Sequence, residues 1–537
     1  MSGRTVHLLE GREMVRPFAV PDLVCLTGSE AGDFDARSIR DRGVPESALM
    51  ERAGAGAAAV IRHSASARDA LILAGKGNNG GDALVVARCL AAWGWRVELL
   101  TTSARPPDDP LLHGWTVPAR ASEELDDSEL TDLIQNALDR GAQVVDGVLG
   151  TGIKGSPRGE AGRVVAALEG AGPGRGGPGR LVSLDIPSGV DADTGAVPGP
   201  AVYGDLTVSF GWPKLGSLLH PGRARAGRQV TLEIGFPPLD PDLAGRRLLT
   251  PAWASRHRPQ RSAVTHKNQV GALAVVGGKP GMAGAAILAG RSALRSGAGY
   301  VRVVTHPDNR EVVQSALPEA VYVDATDAGA VTEALARSRA VAVGPGLGIE
   351  GASAELLARV LATPIPRVVD ADALTLLAGE PGLRAALSGA PVVVTPHPGE
   401  ADRILGESGP GPAGRLDSIR ALRDELDSVV LLKGAPSLVL GPEGLWVEVV
   451  GSSDLAVAGM GDTLTGAIGA FLAQGSDPQT AAGLGLVTTA RAAARAGAGA
   501  GLQAADVPEW IPAALVEGPG GTDLDVPGIL LDLDPAR

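Results

Sequence analysis

Two asparagines inside a glycine-rich stretch are the first residues of this chain whose types and spacing could do chemistry. The stretch GKGNNGGD ends at Asp82, and Asn78 and Asn79 stand just before its last two glycines. An apolar run at 70–74 predicts a buried strand, and a helical pattern begins at Asp82. Backbone N–H groups at such a helix start attract anions, while amide side chains both donate and accept. The stretch therefore predicts a site for a polar ligand or a hard cation.

The dinucleotide-binding fingerprint fits this stretch only in part. Gly75, Gly77 and Gly80 match G-x-G-x-x-G. That fingerprint also needs an acid about 20 residues on, at the end of the next strand, whereas the predicted strand 96–100 ends in two threonines. An ordinary nicotinamide dehydrogenase is therefore not indicated. A structural alternative gives Asp82 a helix N-cap role worth about 1 kcal/mol, but it leaves the paired asparagines unexplained.

Carboxylates accompany two further predicted strands of the N-terminal half. Asp146 precedes the glycine-rich residues 150–155, and Asp185 ends strand 181–184 ahead of Ser188. Because the carboxyl ends of parallel strands meet at one edge of a sheet, these groups and the asparagine motif should converge on one crevice. Turn formation is the alternative for each loop taken singly. Three such loops in succession favour a functional site.

The C-terminal half carries a sharper motif, Gly459-Met460-Gly461-Asp462, at a predicted helix start. Its glycines would let helix N-terminal amides reach a phosphoryl group, and Asp462 could take a proton from an attacking hydroxyl. Lys433 follows another predicted strand and offers a compact charge suited to phosphate. An N-cap is the alternative for Asp462 alone. With Lys433 and several glycine loops in the same half, phosphate chemistry is favoured.

Lysine is rare in this chain, and its placement supports the same chemistry. Arginine is the default cation, because only six of the 48 basic residues are lysines. Each lies in or beside a loop marked by Gly or Pro: Lys76, Lys154, Lys214, Lys267, Lys279 and Lys433. Such loops are where a point charge meets phosphate. With six events, chance placement is the alternative.

Other classes of function have little support. The histidines show no zinc spacing, since His397 and Glu400 share a loop without a third ligand, and neither Gly-x-Ser-x-Gly nor a Walker phosphate loop occurs. The net charge of -13 argues against general nucleic-acid binding. Cys25 and Cys89 make no disulfide framework, and no apolar run is long enough to cross a bilayer. We expect a cytoplasmic protein that binds neither nucleic acid nor membrane.

The elements that must position these residues alternate as strands and helices. This alternation predicts βαβ units with parallel sheets, and 537 residues are too many for one core. Predicted strands are 70–74, 96–100, 143–148, 181–184, 205–210, 229–234, 272–276, 300–305, 340–343, 367–370, 392–395, 429–432, 437–440 and 446–450. Predicted helices include 47–61, 129–140, 162–168 and 286–296, with a flexible insert at 170–180. The predicted divisions are an extension (1–24), a first domain (25–248), a linker (249–265), a second domain (266–514) and a tail (515–537).

Taken together, these motifs resemble those of a known family. The N-terminal half is similar to NAD(P)H-hydrate epimerase through MERAG, GKGNNGGD, Asp146 with GTGIKG, and DIPSGVDADTG. The C-terminal half is similar to ADP-dependent NAD(P)H-hydrate dehydratase through His266-Lys267, GPGLG, DADAL, HPGE, LLKG and GMGDTLTG. The resemblance covers about residues 26–510, in the order of the fused bifunctional repair enzymes. It implies an α/β protein with a Rossmann-like three-layer sandwich followed by a ribokinase-like domain.

For the first domain, the resemblance implies epimerisation of NAD(P)H that has been damaged by addition of water at nicotinamide C6. Asp185 would be the acid/base residue and would also contact the hydrate. The implied potassium ligands are Asn79, Asp146 and Ser188. The implied hydrate-binding residues are Asn78, Asn79, Gly80, Gly81, Asp82, Gly150, Thr151, Gly152, Ile153, Lys154, Gly155 and Ser156.

For the second domain, the resemblance implies dehydration of the S epimer with ADP and Mg²⁺, which leaves AMP and phosphate. Asp462 would deprotonate the C6 hydroxyl, whose phosphorylation makes it a good leaving group. The implied hydrate-site residues are Ala285, Gly346, His397 and Asp462. The implied nucleotide-site residues are Lys433, Gly434, Ala435, Pro436, Ser437 and Gly461. A homo-oligomer is also expected.

The chain departs from the family pattern at three places. Ala83 stands where the family often has Gly, and Met282 replaces a frequent aromatic residue and removes a ring that could stack on the ligand. Residues 451–454 match the usual Asn-Thr-Gly segment only loosely.

Two alternatives belong to other classes of function. The second domain could be an ATP-dependent kinase of a vitamin or sugar, because such kinases share Gly-x-Gly-Asp at a helix start; HPGE and the fused first domain argue against this. The first domain could be a non-catalytic binding domain, because its fold also serves as an interaction module. The joint presence of Asp146, Asp185 and Ser188 favours chemistry.

Overall fold

The computed structural model describes residues 6–8, 12–14, 22–103, 109–112, 114–172, 178–240, 243, 245–260, 270–406, 414–516, 518 and 522–536. The chain divides into two compact units. The first comprises Met1–Arg246 with Gly521–Ala536, and the second comprises Arg247–Gly520. Each unit has its own largely parallel sheet, which confirms the α/β class predicted from the alternating pattern. The motif at 266–267 lies outside the described residues.

The first unit contains most of the elements predicted for the N-terminal half. In chain order they are β1 (Val6–Leu8), β2 (Arg12–Met14), α1 (Gly28–Arg40), α2 (Glu46–Ser64), β3 (Asp69–Ala74), α3 (Asn78–Ala92), β4 (Arg96–Thr101), β5 (Ala119–Ala121), α4 (Asp127–Asp139), β6 (Gln143–Gly147), α5 (Gly159–Gly170), β7 (Arg180–Leu184), β8 (Leu206–Phe210), α6 (Leu215–Leu218), α7 (Gly222–Arg225) and β9 (Arg228–Leu232).

The second unit continues the alternation, and the last strand of the chain follows it. The elements are β10 (Arg246–Leu249), α8 (Pro251–His257), β11 (Ala272–Val276), α9 (Ala283–Arg295), β12 (Tyr300–Thr305), α10 (Arg310–Ala316), β13 (Val321–Asp324), α11 (Ala328–Ala336), β14 (Ala340–Val343), α12 (Gly351–Leu361), β15 (Arg367–Val369), α13 (Asp372–Gly379), α14 (Pro381–Ala385), β16 (Val392–Val394), α15 (Pro398–Leu405), α16 (Arg415–Leu426), β17 (Val429–Leu432), β18 (Leu438–Gly441), β19 (Gly444–Glu448), α17 (Met460–Ala473), α18 (Pro478–Ala496), α19 (Asp506–Val516) and β20 (Ile529–Leu533).

The strand order of the first sheet creates a switch point between β3 and β6. The order is β20-β9-β8-β7-β6-β3-β4-β5, and β9 with β20 is its antiparallel pair. From β3 the chain moves outward to β4 and β5, then returns to β6 and moves the other way. Six of these strands reproduce the Rossmann order 3-2-1-4-5-6, in which ligands bind beyond the strand ends at the switch point.

Helices cover both faces of this sheet because its strands are buried on both sides. In β3, Ala70 and Ile72 pack in the core formed with α2 and α3, whereas Leu71 and Leu73 pack in the core formed with α4 and α5. Successive side chains of a strand point to opposite faces, so one apolar run serves two layers of helix. The predicted three-layer sandwich is therefore confirmed.

The second sheet has its own switch point, between β11 and β14. Its order is β10-β19-β18-β17-β16-β15-β14-β11-β12-β13, with antiparallel pairs from β17 to β18 and from β18 to β19. Helix α17 is buried from Thr463 to Ala473. It approaches α9 closely, because a Cβ on Gly466 would lie 2.0 Å from the Ala289 carbonyl oxygen.

Several elements differ from the sequence predictions. The extension at 1–24 contains the antiparallel pair β1 and β2 among its described residues. Residues 251–257, predicted as part of a linker, form α8, whose fully buried Trp253 meets Trp446 at a ring-centroid distance of 5.1 Å. Strands β5, β10, β13 and β20 were not predicted, and β20 takes its place in the first sheet although it lies in the predicted tail. Among the described residues no helix is both long enough and apolar enough to span a membrane.

Strand β20 should contribute measurably to the stability of the first unit. Ile529 is buried against its core, and Asp532 accepts two hydrogen bonds from Arg228, at 2.8 and 2.6 Å. We expect Ile529→Ala to lower the free energy of unfolding by about 2–5 kcal/mol, because it leaves a cavity in a packed core. Urea unfolding of the full chain measures this. Leu530→Ala, on the neighbouring half-buried residue, is the control and should cost less; equal losses would contradict the assignment.

Candidate functional site

The loop after β3 is held by backbone contacts that only glycine permits. A Cβ on Gly75 would lie 1.9 Å from the Val148 carbonyl oxygen, and one on Gly80 would lie 1.9 Å from the Gly75 carbonyl oxygen. Helix α3 begins directly after this loop, with Gly77 as its N-cap. Asp82 lies beyond the first turn of α3, so the N-cap role considered for it is wrong.

The three residues predicted to bind potassium lie together at the switch point. The Ser188 hydroxyl donates to Asp146 Oδ1 at 2.6 Å, and the Ser188 N–H donates to Asp146 Oδ2 at 3.0 Å. Asn79 Nδ2 donates to the Leu149 carbonyl at 2.9 Å. Asp146 is fully buried, and this burial raises its pKa. Asn79 Oδ1 is buried without a hydrogen-bond partner in the described part of the chain, so one oxygen of this cluster is available to a cation.

A cavity of about 1140 Å³ lies beside this cluster, within the first unit. It is lined by many residues of the predicted hydrate site: Asn78, Asn79, Asp82, Gly150, Thr151, Gly152, Ile153 and Asp185. Other predicted residues do not line it, namely Gly80, Gly81, Lys154, Gly155 and Ser156. The structure thus brings together the two predicted loops and the candidate acid/base residue, and leaves the second half of the GTGIKGS loop outside.

Lys154 is engaged by carboxylates rather than directed at the cavity. Its ammonium donates to Asp193 Oδ2 at 2.5 Å and lies 3.8 Å from Asp191 Oδ2. The same Asp193 accepts hydrogen bonds from the Ser29 N–H and hydroxyl, at 3.0 and 2.8 Å. This network ties the loop after β6 to the start of α1. A hydrate-binding role for Lys154 stays a prediction.

Asp185 stands at the end of β7 in a conformation that is uncommon for a residue with a side chain, since its φ is 62°. Its Oδ1 accepts hydrogen bonds from the Phe210 N–H, at 3.2 Å, and from the Lys214 ammonium. Lys214 also donates to the Phe210 carbonyl at 2.7 Å, and the residue is only 3% exposed. In the sequence, Lys214 stood out only as one of six lysines and was not predicted to belong to a site.

Two more carboxyl groups line the cavity near Asp185. Burial, together with the charge of Asp185, raises the pKa of Asp82 well above its ordinary value. Burial, together with the charges of Glu46 and Asp185, raises the pKa of Asp35. The positive charge of Lys214 lowers both pKa values. Asp35 and Glu46 lie on α1 and α2, so a search for polar residues at strand ends could not find them.

In the second unit, glycine loops bring two predicted hydrate-site residues together. A Cβ on Gly346 would lie 3.2 Å from the Ala285 Cβ and 3.0 Å from the Met282 Cβ. The Lys279 N–H donates to the Gly346 carbonyl at 2.6 Å, which joins the loops after β11 and β14 at the switch point. Met282, which replaces a frequent aromatic residue, is 44% exposed beside them.

Asp462 lies in the first turn of α17 but does not cap it. The N-cap is Gly459, with φ 85° and no side-chain cap, so the N-cap alternative for Asp462 is wrong. Within the described residues the Asp462 carboxylate makes neither a hydrogen bond nor an ion pair. Burial, reinforced by the charge of Asp370, raises the pKa of Asp462 to about 6. Gly461 faces the same group of charges, since a Cβ there would lie 3.5 Å from Lys433 Nζ.

A buried network surrounds Lys433. Its ammonium donates to Asp370 Oδ1 at 2.6 Å and lies 4.0 Å from Glu400 Oε2. The Thr465 hydroxyl donates to Asp370 Oδ2 at 2.6 Å. Asp370 is 1% exposed. In the sequence, Asp370 belongs to the DADAL motif of the family resemblance and had no individual role; its position directly after β15 was the available signal.

Hydrogen bonds from one arginine hold the backbone of the predicted nucleotide loop, residues 433–437. The Arg415 guanidinium donates to the carbonyls of Lys433 at 3.1 Å, Leu432 at 3.3 Å and Pro436 at 2.8 Å. Gly434 within the loop has φ 142°. The Ser437 hydroxyl donates to the Gly434 carbonyl at 3.1 Å, so the loop is closed on itself as well.

His397 makes hydrogen bonds at a helix start. It is the N-cap of α15, where Nδ1 accepts hydrogen bonds from the N–H groups of Gly399 at 3.0 Å and Glu400 at 3.3 Å. Glu400 returns the contact by accepting from the His397 N–H at 2.8 Å. The other ring nitrogen, Nε2, lies 3.6 Å from Glu400 Oε1. A hydrate-site role for His397 stays a prediction.

Fold and sites together define a two-unit α/β enzyme with a carboxylate-lined cavity in its Rossmann-like unit and a glycine-loop site in the other. Two family models match it: YjeF-related protein N-terminus at residues 46–216, and NAD(P)H-hydrate dehydratase at residues 273–512. The bifunctional NAD(P)H-hydrate repair enzyme Nnr of Moorella thermoacetica is 35% identical over 525 residues, which cover 91% of this chain and 96% of that protein. The chain belongs to the family of bifunctional NAD(P)H-hydrate repair enzymes.

Further relatives match each unit. The enzyme of the same name from Escherichia coli is 37% identical over 459 residues, which cover 83% of this chain and 84% of that protein. Among solved structures, ADP/ATP-dependent NAD(P)H-hydrate dehydratase from Bacillus subtilis, co-crystallised with ATP/Mg²⁺, is 28% identical with a TM-score of 0.42. That match covers 50% of this chain and 96% of the other.

The glycine-rich stretch 75–82 (the asparagine loop) should tolerate a methyl group at Gly77 and not at Gly80. We expect Gly80→Ala to lower the melting temperature, because the new Cβ would collide with the Gly75 carbonyl. Gly77→Ala is the matched control, since a Cβ there meets nothing within 4 Å. Thermal unfolding by circular dichroism measures both. A Gly80→Ala protein as stable as the Gly77→Ala protein would show that the loop is not packed as described.

Proposed function

We propose that this chain restores hydrated nicotinamide cofactors in two steps. The first unit interconverts the R and S epimers of NAD(P)H hydrate. The second dehydrates the S epimer with ADP and releases AMP and phosphate. The observation that carries the proposal is the pairing, in one chain of this family, of two features. A carboxylate-lined cavity lies at one switch point, and the other unit holds a phosphate-suited loop and the half-buried Asp462.

The first site offers the two proton-transfer groups that an epimerisation needs. Inverting C6 requires that a bond to this carbon breaks and re-forms, with one proton taken up and one given back. Asp185 lines the cavity and would accept a proton. Its Oδ2 has no hydrogen-bond partner among the described residues. Asp82 lines the same cavity, and burial raises its pKa, which makes it the better proton donor of the two and the candidate acid. Residues of the asparagine loop and of 150–153 would hold the hydrate against these groups.

Potassium fits the oxygen cluster at this switch point. Asn79 Oδ1, Asp146 and Ser188 would be its side-chain ligands, and the orphaned Asn79 oxygen supports the assignment. When bound, the ion would supply a fixed positive charge beside the two ligand-binding loops. Because Asp146 is buried without a charged partner in the described hydrogen-bond network, a cation there would offset its desolvation cost.

The second site suits deprotonation of an alcohol next to a phosphate donor. Asp462 would take the proton of the C6 hydroxyl, and its pKa of about 6 leaves it ionised at neutral pH yet basic enough to act. Lys433, the loop 433–437 and Gly461 would hold the nucleotide phosphates, while Ala285, Gly346 and His397 would face the hydrate. The described residues contain no cluster of three His, Cys, Asp or Glu side chains suited to a metal, so Mg²⁺ would be held largely through the nucleotide itself.

The relatives favour this function over the alternative of a small-molecule kinase fused to a non-catalytic domain, since proteins named as bifunctional repair enzymes match both units. Use of ADP rather than ATP is part of the proposal. A homo-oligomer and a cytoplasmic location stay predictions.

Epimerisation should depend on Asp185 alone among the carboxylates tested. The full chain is mixed with both epimers of NADPH hydrate, ADP, Mg²⁺ and K⁺, and absorbance of reduced nicotinamide is followed. We expect a first phase that consumes the S epimer and a second that consumes the R epimer. Asp185→Asn should keep the first phase and slow the second by about 10²–10⁴.

The control is Asp240→Asn, which removes a carboxylate of the same unit that pairs with Arg37 and Arg42 outside the cavity. It should leave both phases unchanged. Replacing K⁺ by Na⁺ should slow the second phase only. An Asp185→Asn protein with a normal second phase would refute the assignment of Asp185.

Dehydration should fail in acid as Asp462 takes up a proton. With the S epimer and ADP, we expect kcat to fall about tenfold per pH unit below about pH 6, since Asp462 must be ionised to act as a base. Asp462→Asn should lower kcat by about 10²–10⁴ and lose this acid limb. Asp424→Asn on the exposed face of α16 is the control. An acid limb near the ordinary carboxyl value of about 4 would point to a different base.

A further inference from the structure

Lys214 is a buried lysine to which neither the sequence motifs nor the family resemblance gives a role. It follows β8 and is the N-cap of α6, and its side chain is only 4% exposed. The backbone around it is fixed, because the Leu215 N–H donates to the Leu26 carbonyl at 2.8 Å and the Leu26 N–H donates to the Pro213 carbonyl at 3.1 Å. Burying an ammonium is costly unless it is paired. Its position therefore calls for an explanation.

Its partners place it against the candidate base. The ammonium donates to Asp185 Oδ1 and, at 2.7 Å, to the Phe210 carbonyl. The Phe210 N–H donates to the same Oδ1 at 3.2 Å. This oxygen therefore has two donors, one at the end of β8 and one in the segment that follows it. Asp185 Oδ2 has no partner within the described part of the unit. The carboxylate is thus fixed through one oxygen and open through the other.

The main chain of Asp185 is held just as firmly. Its N–H donates to the Val208 carbonyl at 2.7 Å, and its carbonyl accepts from the Ser209 hydroxyl at 2.8 Å. With a φ of 62°, the backbone is in the left-handed region, which is unfavourable for a residue with a side chain. Both β8 and the segment after it therefore hold Asp185, and Lys214 is the charged group that contacts its side chain.

Several charged groups share this cavity, and Lys214 is the cation buried among them. The titratable residues that line the cavity are Asp35, Arg40, Glu46, Lys76, Asp82, Arg158, Glu160, Asp185 and Lys214. Arg40, Lys76 and Arg158 are exposed. The charge of Lys214 lowers the pKa of Asp82 and of Asp35. Without Lys214, less positive charge would offset the repulsion among the carboxylates that α1, α2, α3 and the end of β7 place in this cavity.

We propose that Lys214 is a positioning residue for the epimerisation, which holds Asp185 Oδ1 so that Oδ2 is left to exchange a proton with the substrate. This inference rests on the proposed function, in which Asp185 is the acid/base residue. Lys214 acts through Asp185 and not on the substrate. A base displaced by about 1 Å can lose about 10² in rate, so the loss of this contact should slow the reaction even where the substrate still binds.

The test uses Lys214→Met and Lys214→Gln in the full chain, with mixed epimers, ADP, Mg²⁺ and K⁺. The first phase of NADPH recovery reports dehydration and shows that the second unit is intact. We expect the second phase to lose about 10² in kcat with little change in KM. Its acid limb should move to higher pH, because the cavity carboxyl groups lose a cation and become harder to ionise. Lys214→Arg should restore the position of that limb.

Two variants separate positioning from general destabilisation. Arg225→Met removes another largely buried cation of the first unit, which pairs with Glu169 at 2.8 Å outside the cavity, and should keep normal kcat and pH dependence. Lys214→Gln retains side-chain N–H donors but no charge. If Lys214→Met does not unfold cooperatively, Lys214→Gln and Lys214→Arg carry the test, and the acid limb must move in the first and stay in the second.

The outcomes also distinguish this inference from the proposed function. If Asp185→Asn loses the second phase while both neutral Lys214 variants keep wild-type kcat and pH dependence, the positioning role is overturned and the proposed function stands. If Asp185→Asn keeps the second phase, the proposed role of Asp185 fails and takes this inference with it. Loss in Asp185→Asn together with the kcat loss and shifted limb in the neutral Lys214 variants supports both.

Discussion

Both sites depend on one steric constraint: two backbone segments pass so closely at each switch point that no side chain fits between them. A Cβ on Gly75 would lie 1.9 Å from the Val148 carbonyl oxygen, and one on Gly277 would lie 2.1 Å from the Pro345 carbonyl oxygen. Such distances are far below van der Waals contact, so only glycine is compatible with them. Because the backbones converge, the polar groups that follow them converge as well. In the first unit the Leu149 carbonyl accepts hydrogen bonds from Asn79 and Ser188, and Ser188 also donates to Asp146. In the second unit Ala285 lies beside Gly346.

Each unit also buries a lysine against an aspartate, Lys214 with Asp185 and Lys433 with Asp370. Such pairs are poor devices for stability, because the cost of removing two charges from water can exceed their attraction, and apolar replacements are often neutral or stabilising. Their location beside a cavity or a glycine loop is better explained by chemistry. A buried charge fixes the direction of its partner, and it sets the ionisation of neighbouring carboxyl groups that have no partner of their own.

The sequence predicted what local pattern determines and missed what distant contacts determine. Apolar runs with glycine-rich or aspartate-containing loops beyond them predicted β3, β6 and β7, because strand ends and turn chemistry are local. The same reasoning wrongly considered Asp82 and Asp462 as N-caps, since glycines take that position in both helices. Lys214 and Asp35 were not placed in a site, because their relation to Asp185 arises only when the sheet forms. Strand β20 was missed because its partner β9 is about 300 residues away, as the Arg228–Asp532 pair shows.

The choice of base in the second unit follows from counting hydrogen bonds. Asp370 gives one oxygen to Lys433 and the other to Thr465, each at 2.6 Å. Thr465 and Asp462 lie three apart on α17, so one helix both occupies Asp370 and presents Asp462 beside it. Asp370 is therefore held through both oxygens, and Asp462 is the carboxylate that would take the proton in the proposed reaction. The charge of Asp370, added to burial, raises the pKa of Asp462 to about 6. Asp370, whose two oxygens both accept hydrogen bonds, thus raises the pKa of Asp462. This makes Asp462 a stronger base than an ordinary aspartate while it remains ionised at neutral pH.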